Sequence, residues 1–123
     1  MLLDSNIIIY AAQPQHAALR VFTLERSPAV SVISLIEVLG FHRLHPDDRA
    51  LFESFFRAAE ILPLTDSVVQ EAIRLRQQRK MSLGDSIVAA TALQHRRTLV
   101  TRNTDDFRWI TDLSLLDPLA PST

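Results

Sequence analysis

An α/β architecture, with a mainly parallel sheet covered by helices on both faces, is what this sequence predicts. Three observations carry the prediction. Short apolar stretches of strand length alternate along the whole chain with segments whose apolar residues recur at helical spacing. Only two Gly and six Pro interrupt the 123 residues, and no repeat, low-complexity tract or linker divides them. Apolar residues make up 47% and charged residues 22%, the balance of a globular chain, so residues 1–123 are expected to form one domain. A chain of that size buries roughly two-thirds of its unfolded surface without metals or crosslinks.

The elements follow in order. Met1 to Leu3 read as a strand, and a helix follows Asp4 to about residue 12. "HAALRVFTLER" is apolar on one helical face, and "AVSV" is a short strand. A helix is expected from Ser34 through "LIEVLGFHRL", and another from Pro46 through "DDRALFESFFRAAE". "ILPL" is the next strand, and Asp66 is placed as the cap of "SVVQEAIRLRQQRK". The helix from about Leu83 to Arg96 is made of small and apolar residues and must be buried; "TLVT" and "LSLL" complete the sheet.

Composition excludes several kinds of chemistry. With no Cys, disulfides, thiolate zinc sites and cysteine nucleophiles are ruled out. No apolar run approaches the ~18 residues that span a bilayer, and the start lacks the basic segment of a secretory signal, so a cytoplasmic protein without a membrane partner is expected. The formal net charge of −1 gives no general attraction to nucleic acid. Among the 13 cationic residues, however, only Lys80 is Lys; the others are Arg, whose planar fork matches phosphate oxygens.

In open α/β sheets the working crevice lies outside the carboxyl ends of the strands. Acids and amides gather there. Asp4 directly follows the first strand. Glu37 lies one turn into the helix after the second, Asp85 opens the buried helix, and Asn103, Asp105 and Asp106 follow "TLVT". Each has an ordinary reading as a helix cap: Ser34-x-x-Glu37 has the form of a capping box, Ser82-x-x-Asp85 is a close variant, and Asp4 or Asn103 is suited to the same task. Yet Ser34 and Ser82 already meet the capping need, and an acid flanked by apolar residues risks burial without a partner. If the acids converge, a cation must compensate them. Hard oxygen donors with no Cys or His suit Mg²⁺ or Mn²⁺, and hydrolysis of a phosphodiester is the natural use of such an ion.

"LLDSNIIIY", "SLIEVLG", "LGDSIVAATAL" and "TLVTRNTDDF", in that order over nearly the whole length, resemble the PIN domain and, within it, the VapC-type toxins of bacterial toxin–antitoxin pairs. The resemblance implies a three-layer α/β/α fold with a central, mostly parallel sheet and a Mg²⁺- or Mn²⁺-dependent endoribonuclease. It implies catalytic and metal-binding roles for Asp4, Glu37 and Asp85. In the fourth motif Asn103 occupies the usual acidic slot, so Asp106 is assigned as the fourth acid, acting through water, with Asp105 as its substitute. Asn6, Thr101 and Asn103 would support the site. The same resemblance implies a homodimer and a cognate VapB-like antitoxin, whose basic group competes with the metal; the amphipathic stretches "SLIEVLGFHRL" and "ALFESFFRAAE" offer candidate apolar surface for it in Leu39, Phe41, Leu51, Phe52, Phe55 and Phe56, at least half of which are expected to be ordinary core.

Other residues were weighed for RNA contact. Arg102, inside the fourth motif, is the best placed, followed by Arg79 and Lys80 in "RLRQQRK" with Arg74 and Arg76. That run also suits a solvated helix end, where the dipole favours cations. His42 and His45 lack a third zinc ligand, and Trp109 reads as packing. A phospho-accepting receiver domain has a similar layout, but it needs paired acids after the first strand and a late Lys, whereas Asp4 stands alone and no Lys follows Lys80. An RNA-processing nuclease outside a toxin–antitoxin pair stays open at this point.

Overall fold

Successive residues of the central strands face opposite sides of one sheet, and this period of two divides the hydrophobic core. The computed structural model describes residues 1–120. Strands β1 (Leu2–Leu3), β2 (Ala29–Ser31), β3 (Glu60–Leu62), β4 (Leu99–Val100) and β5 (Leu115–Leu116) form a five-stranded sheet in the order β3-β2-β1-β4-β5. Every neighbouring pair is parallel, as expected. The register aligns Leu2 with Ala29 and Leu99, and Leu3 with Val30 and Val100.

The helices are α1 (Ser5–Ala11), α2 (Ala17–Glu25), α3 (Val32–Leu39), α4 (Pro46–Ala58), α5 (Asp66–Gln78) and α6 (Leu83–His95). On one face of the sheet Leu2, Ala29 and Leu99 pack with Val68 and Leu75 of α5, Val88 and Ala89 of α6, and Phe107. On the other face Leu3, Val30 and Val100 pack with Ile7 and Ile8 of α1, Leu19 of α2, Val38 of α3, and Phe52 and Phe56 of α4. The result is the expected three-layer α/β/α arrangement. Fully burying one such Leu, Val or Phe contributes roughly 1.5–3 kcal/mol. Ser86 through Ala92 of α6 are all buried, and the hydroxyls of Ser86 and Thr91 are satisfied within the helix by the carbonyls of Leu83 and Ile87. Among the described residues no helix is long and apolar enough to cross a membrane.

Several helix ends differ from the sequence expectation. Helix α3 begins at Val32, capped by Ser31 through its hydroxyl and the Ile33 N–H, not at Ser34. It stops at Leu39 with Gly40 as its C-cap, where a side-chain carbon would lie 2.3 Å from the Ile36 carbonyl oxygen, so the position suits glycine. Ser34 and Glu37 are therefore not a capping box. The cap of α5 is Thr65, which accepts from Val68 N–H, and Asp66 becomes the first helical residue. Strand β3 ends at Leu62 rather than running through "ILPL", since Pro63 has no N–H to give the ladder.

Candidate active site

The sheet order places β1 between β2 and β4, so the chain crosses in opposite directions on either side of β1. Such a switch point opens a crevice at the carboxyl ends of the strands. Asp4 ends β1 there. One of its carboxylate oxygens accepts the Ser5 N–H at 2.8 Å, which makes it the cap of α1; the other accepts the Thr101 hydroxyl from the end of β4, also at 2.8 Å. Asp4 is thus a cap and a strand-bridging acid at once. It is 7% exposed, and Thr101 is fully buried. Thr101 Oγ1 in turn accepts the Asn103 N–H at 3.1 Å, which ties the loop after β4 to the same point.

Asp85 lies in the first turn of α6, where Ser82 caps the helix by accepting the Asp85 N–H at 3.1 Å, as the spacing predicted. Glu37 projects from α3 and is exposed, contrary to the expected partial burial; the buried positions of α3 are Ser34 and Val38. Its Oε1 accepts the Ser5 hydroxyl at 2.8 Å. Asp106 sits in a one-turn 3-10 helix, Thr104–Asp106, and is exposed.

Electrostatics link these four acids. Asp4 is pushed up from 3.8 to about 6, first by burial, then by the negative charges of Asp85 and Glu37, against the opposing hydrogen bonds from Thr101 and Ser5. Asp85 is raised as well, by burial first and then by Asp106 and Glu37, against the hydrogen bond with Ser82. Like charges in a poorly solvated crevice disfavour ionisation. No Lys, Arg or His among the described residues pairs with any of the four; the ion pairs lie elsewhere, including Arg108 with Asp105. That pairing separates Asp105 from Asp106, whose charge reaches Asp85.

The donor set is carboxylate oxygen throughout, which matches a hard divalent cation. The Asn6 side-chain oxygen adds a buried acceptor without a hydrogen-bond partner. As they stand, no three or more His, Cys, Asp or Glu side chains among the described residues are gathered tightly enough to hold a metal ion. Mg²⁺ keeps several of its waters and does not require a closed protein cage, so a looser set of carboxylates suits it.

Arg102 is exposed, with Nε 3.6 Å from Asp117 Oδ1 and its guanidinium 5.7 Å from the Tyr10 ring centre. Arg79 lies 5.8 Å from the Trp109 ring centre, and Lys80 beside it is exposed. Trp109 is packing, as expected, and its indole N–H donates to the Asp106 carbonyl at 3.1 Å. His42 is exposed, and His45 caps α4 by accepting the Asp47 N–H at 3.1 Å, so the pair forms no zinc site. Of the six apolar candidates for a partner surface, some of which were expected in the core, Phe52 and Phe56 are core, because α4 turns them onto the sheet. Leu39 and Phe55 are half-buried, and Phe41 and Leu51 remain exposed. Sequence reasoning missed Ser5 and gave Ser34 the role of a cap, whereas its hydroxyl lies 3.0 Å from that of Ser5. The only signal was their polarity within otherwise apolar stretches.

The PIN domain profile matches residues 1–112. No curated protein matches the sequence. Among solved structures, a chain of a toxin–antitoxin complex from Klebsiella pneumoniae is 28% identical, with a TM-score of 0.78 over 95% of this chain and 96% of that one. VapBC-1 from nontypeable Haemophilus influenzae is 26% identical, with a TM-score of 0.74 over 94% and 96%. DNA-bound VapBC from Salmonella typhimurium, at 21% identity, shares the fold with a TM-score of 0.82 over 94% and 96%. With its ordered acids at the switch point of a parallel sheet and a profile match over most of its length, the chain belongs to the PIN domain family.

Proposed function

We propose that the chain is a Mg²⁺- or Mn²⁺-dependent endoribonuclease and the toxin of a type II toxin–antitoxin pair. The observation that carries this reading is that three separate elements bring Asp4, Glu37 and Asp85 to one end of the sheet: Glu37 is tied to Ser5 beside Asp4 and lies over Gly84 beside Asp85, and no cationic side chain among the described residues pairs with any of them. These three would hold the ion, with Asp106 at the rim acting through water and Asn6, Thr101 and Asn103 as support. When bound, a divalent ion in such a site lowers the pKa of water and offsets the charge of a phosphate.

The chain's own residues do the positioning. Thr101 and the Ser5 N–H each occupy one oxygen of Asp4 and fix its plane, leaving further lone pairs available. Burial of Asp4 keeps competing water away from that edge. The exposed guanidinium of Arg102 is suited to an RNA phosphate next to the loop that carries Asp106, and Arg79 and Lys80 extend the cationic surface. A VapB-like antitoxin and a homodimer complete the reading; the Klebsiella pneumoniae and Haemophilus influenzae relatives, from a toxin–antitoxin complex and a VapBC assembly, support the antitoxin. The exposed Phe41 and Leu51 are apolar surface for such a partner.

Purified protein incubated with total RNA and Mg²⁺ or Mn²⁺, with an EDTA control and mapping of the cut ends, tests the activity. Cleavage is expected only with metal, and Asp85→Asn should abolish it while the fold is kept. Cleavage that survives EDTA or that substitution refutes the assignment. For the biology, a short adjacent reading frame whose product binds the chain and quenches cleavage is expected; a chain encoded without one points to RNA processing instead.

A further inference from the structure

We infer that Ser5, Ser34 and Gly84 clamp the carboxylate of Glu37, and that Ser5 and Gly84 are positioning residues for it. The inference rests on the reading of Glu37 as a metal ligand. Glu37 lies on the exposed face of α3, where a long side chain ordinarily samples many rotamers. One of its oxygens is nevertheless hydrogen-bonded, and the other packs over the bare backbone of Gly84. Oε1 lies 2.8 Å from the Ser5 hydroxyl, and Oε2 lies where a side chain on Gly84 would be, 2.7 Å from an ideal Cβ.

Proton accounting gives the first contact a direction. Ser5 Oγ is 2.8 Å from Glu37 Oε1 and 3.0 Å from Ser34 Oγ, yet a hydroxyl has one proton. An ionised carboxylate only accepts, so the Ser5 proton goes to Glu37 and the Ser34 proton goes to Ser5 Oγ. Ser34 is fully buried and Ser5 is 9% exposed, so the relay runs from the core of the helix contact out to the carboxylate. Hydrogen bonds to charged acceptors are the stronger kind, and a chain of them is mutually reinforcing. Ser34, whose hydroxyl reading as a cap is excluded, has its role here.

Gly84 has a different reason to be present. Among the described residues no glycine has a positive φ, so backbone conformation does not demand glycine at the second position of α6, where it is a poorer helix former than Ala. Space demands it. The atom in the way is the far end of a flexible side chain, so Gly84→Ala is compatible with folding but displaces the Glu37 carboxylate.

The test compares wild type with Gly84→Ala, Ser5→Ala and Ser5→Thr, reading the Mn²⁺ dissociation constant by electron paramagnetic resonance and the Tm in EDTA. Gly84→Ala is expected to bind Mn²⁺ about 10- to 100-fold more weakly, the range for partners that orient a ligand, while its Tm equals or exceeds that of wild type. Structural damage would not raise Tm and weaken the metal together. Ser5→Ala should weaken binding similarly, and Ser5→Thr should restore it. Unchanged Mn²⁺ affinity in Gly84→Ala and Ser5→Ala, or failure of Ser5→Thr to rescue, overturns the clamp. If wild type itself binds no Mn²⁺, the metal reading falls, and the clamp is decided in EDTA by the ¹³C carboxyl resonance of Glu37. That resonance shifts in Ser5→Ala and Gly84→Ala and returns in Ser5→Thr if the clamp exists; an unmoved resonance overturns it.

Discussion

Replacing Asp4 by Asn should stabilise the metal-free protein at neutral and alkaline pH, although the residue is buried and hydrogen-bonded. The folded protein raises this carboxyl from 3.8 to about 6, chiefly by burial. The folded state therefore holds its proton more tightly than the unfolded state does, and stability falls as pH rises through the window between those values. At about 1.4 kcal/mol per tenfold change in proton affinity, the ionised form costs the metal-free fold about 3 kcal/mol above pH 7, and nothing below pH 3. Asn removes that cost but weakens the two hydrogen bonds from Ser5 N–H and the Thr101 hydroxyl, for a loss of about 1 kcal/mol. The expected net gain is about 1–2 kcal/mol at pH 8, changing to a small loss at pH 4. Urea denaturation of both proteins in EDTA at several pH values measures it. Because the Asp85 charge is among the causes that raise Asp4, removing the Asp4 charge also relieves Asp85, and the difference between the two proteins contains that coupling. Adding Mn²⁺ should reverse the order, because only wild type gains the stabilisation of a ligand bound to the native state, about 2.7 kcal/mol at a hundred times Kd. An Asn variant less stable than wild type at pH 8 in EDTA, or a difference that ignores pH, refutes the reasoning.

Three further outcomes follow from the same geometry. Thr101→Val removes a fully buried hydroxyl that joins Asp4 to the Asn103 N–H, and should cost about 1–3 kcal/mol in denaturation while moving the Asp4 carboxyl higher still in a ¹³C titration. Ser82→Ala removes the cap of α6 and should lower stability by about 1 kcal/mol; the same titration should show Asp85 displaced further upward, since the Ser82 hydrogen bond holds it down. Phe107→Ala empties the largest fully buried position on the α5–α6 side of the sheet and should destabilise by about 3–5 kcal/mol, read as a lower urea midpoint.

Particular residues show what was legible along the chain. The apolar pairs Leu2–Leu3 and Leu99–Val100 and the small-residue run of α6 announce buried strands and a buried helix, because such patterns are made by neighbours in sequence. The candidate acids were legible for a related reason: in an alternating α/β chain, a carboxylate just after a strand is already at the edge where crevices form. Local pattern failed where two local answers were equally good. Ser31 and Ser34 both satisfy the rules for opening α3, and Thr65 and Asp66 both satisfy those for α5.

Tertiary structure decided those ties and the wiring of the candidate site. Pairing of β2 through Ser31 starts α3 at Val32, and the packing of α3 against α1 sets Ser34 on Ser5 while Glu37 stays exposed. The Thr101 hydroxyl reaches Asp4 across 97 residues, and Ser5 reaches Glu37 across 32. Contacts at such separations exist only once the strand order is set, so no reading of adjacent residues contains them. The chain by itself determined which side chains carry charge to the sheet edge; the order of five parallel strands determined which hydroxyl each of them meets.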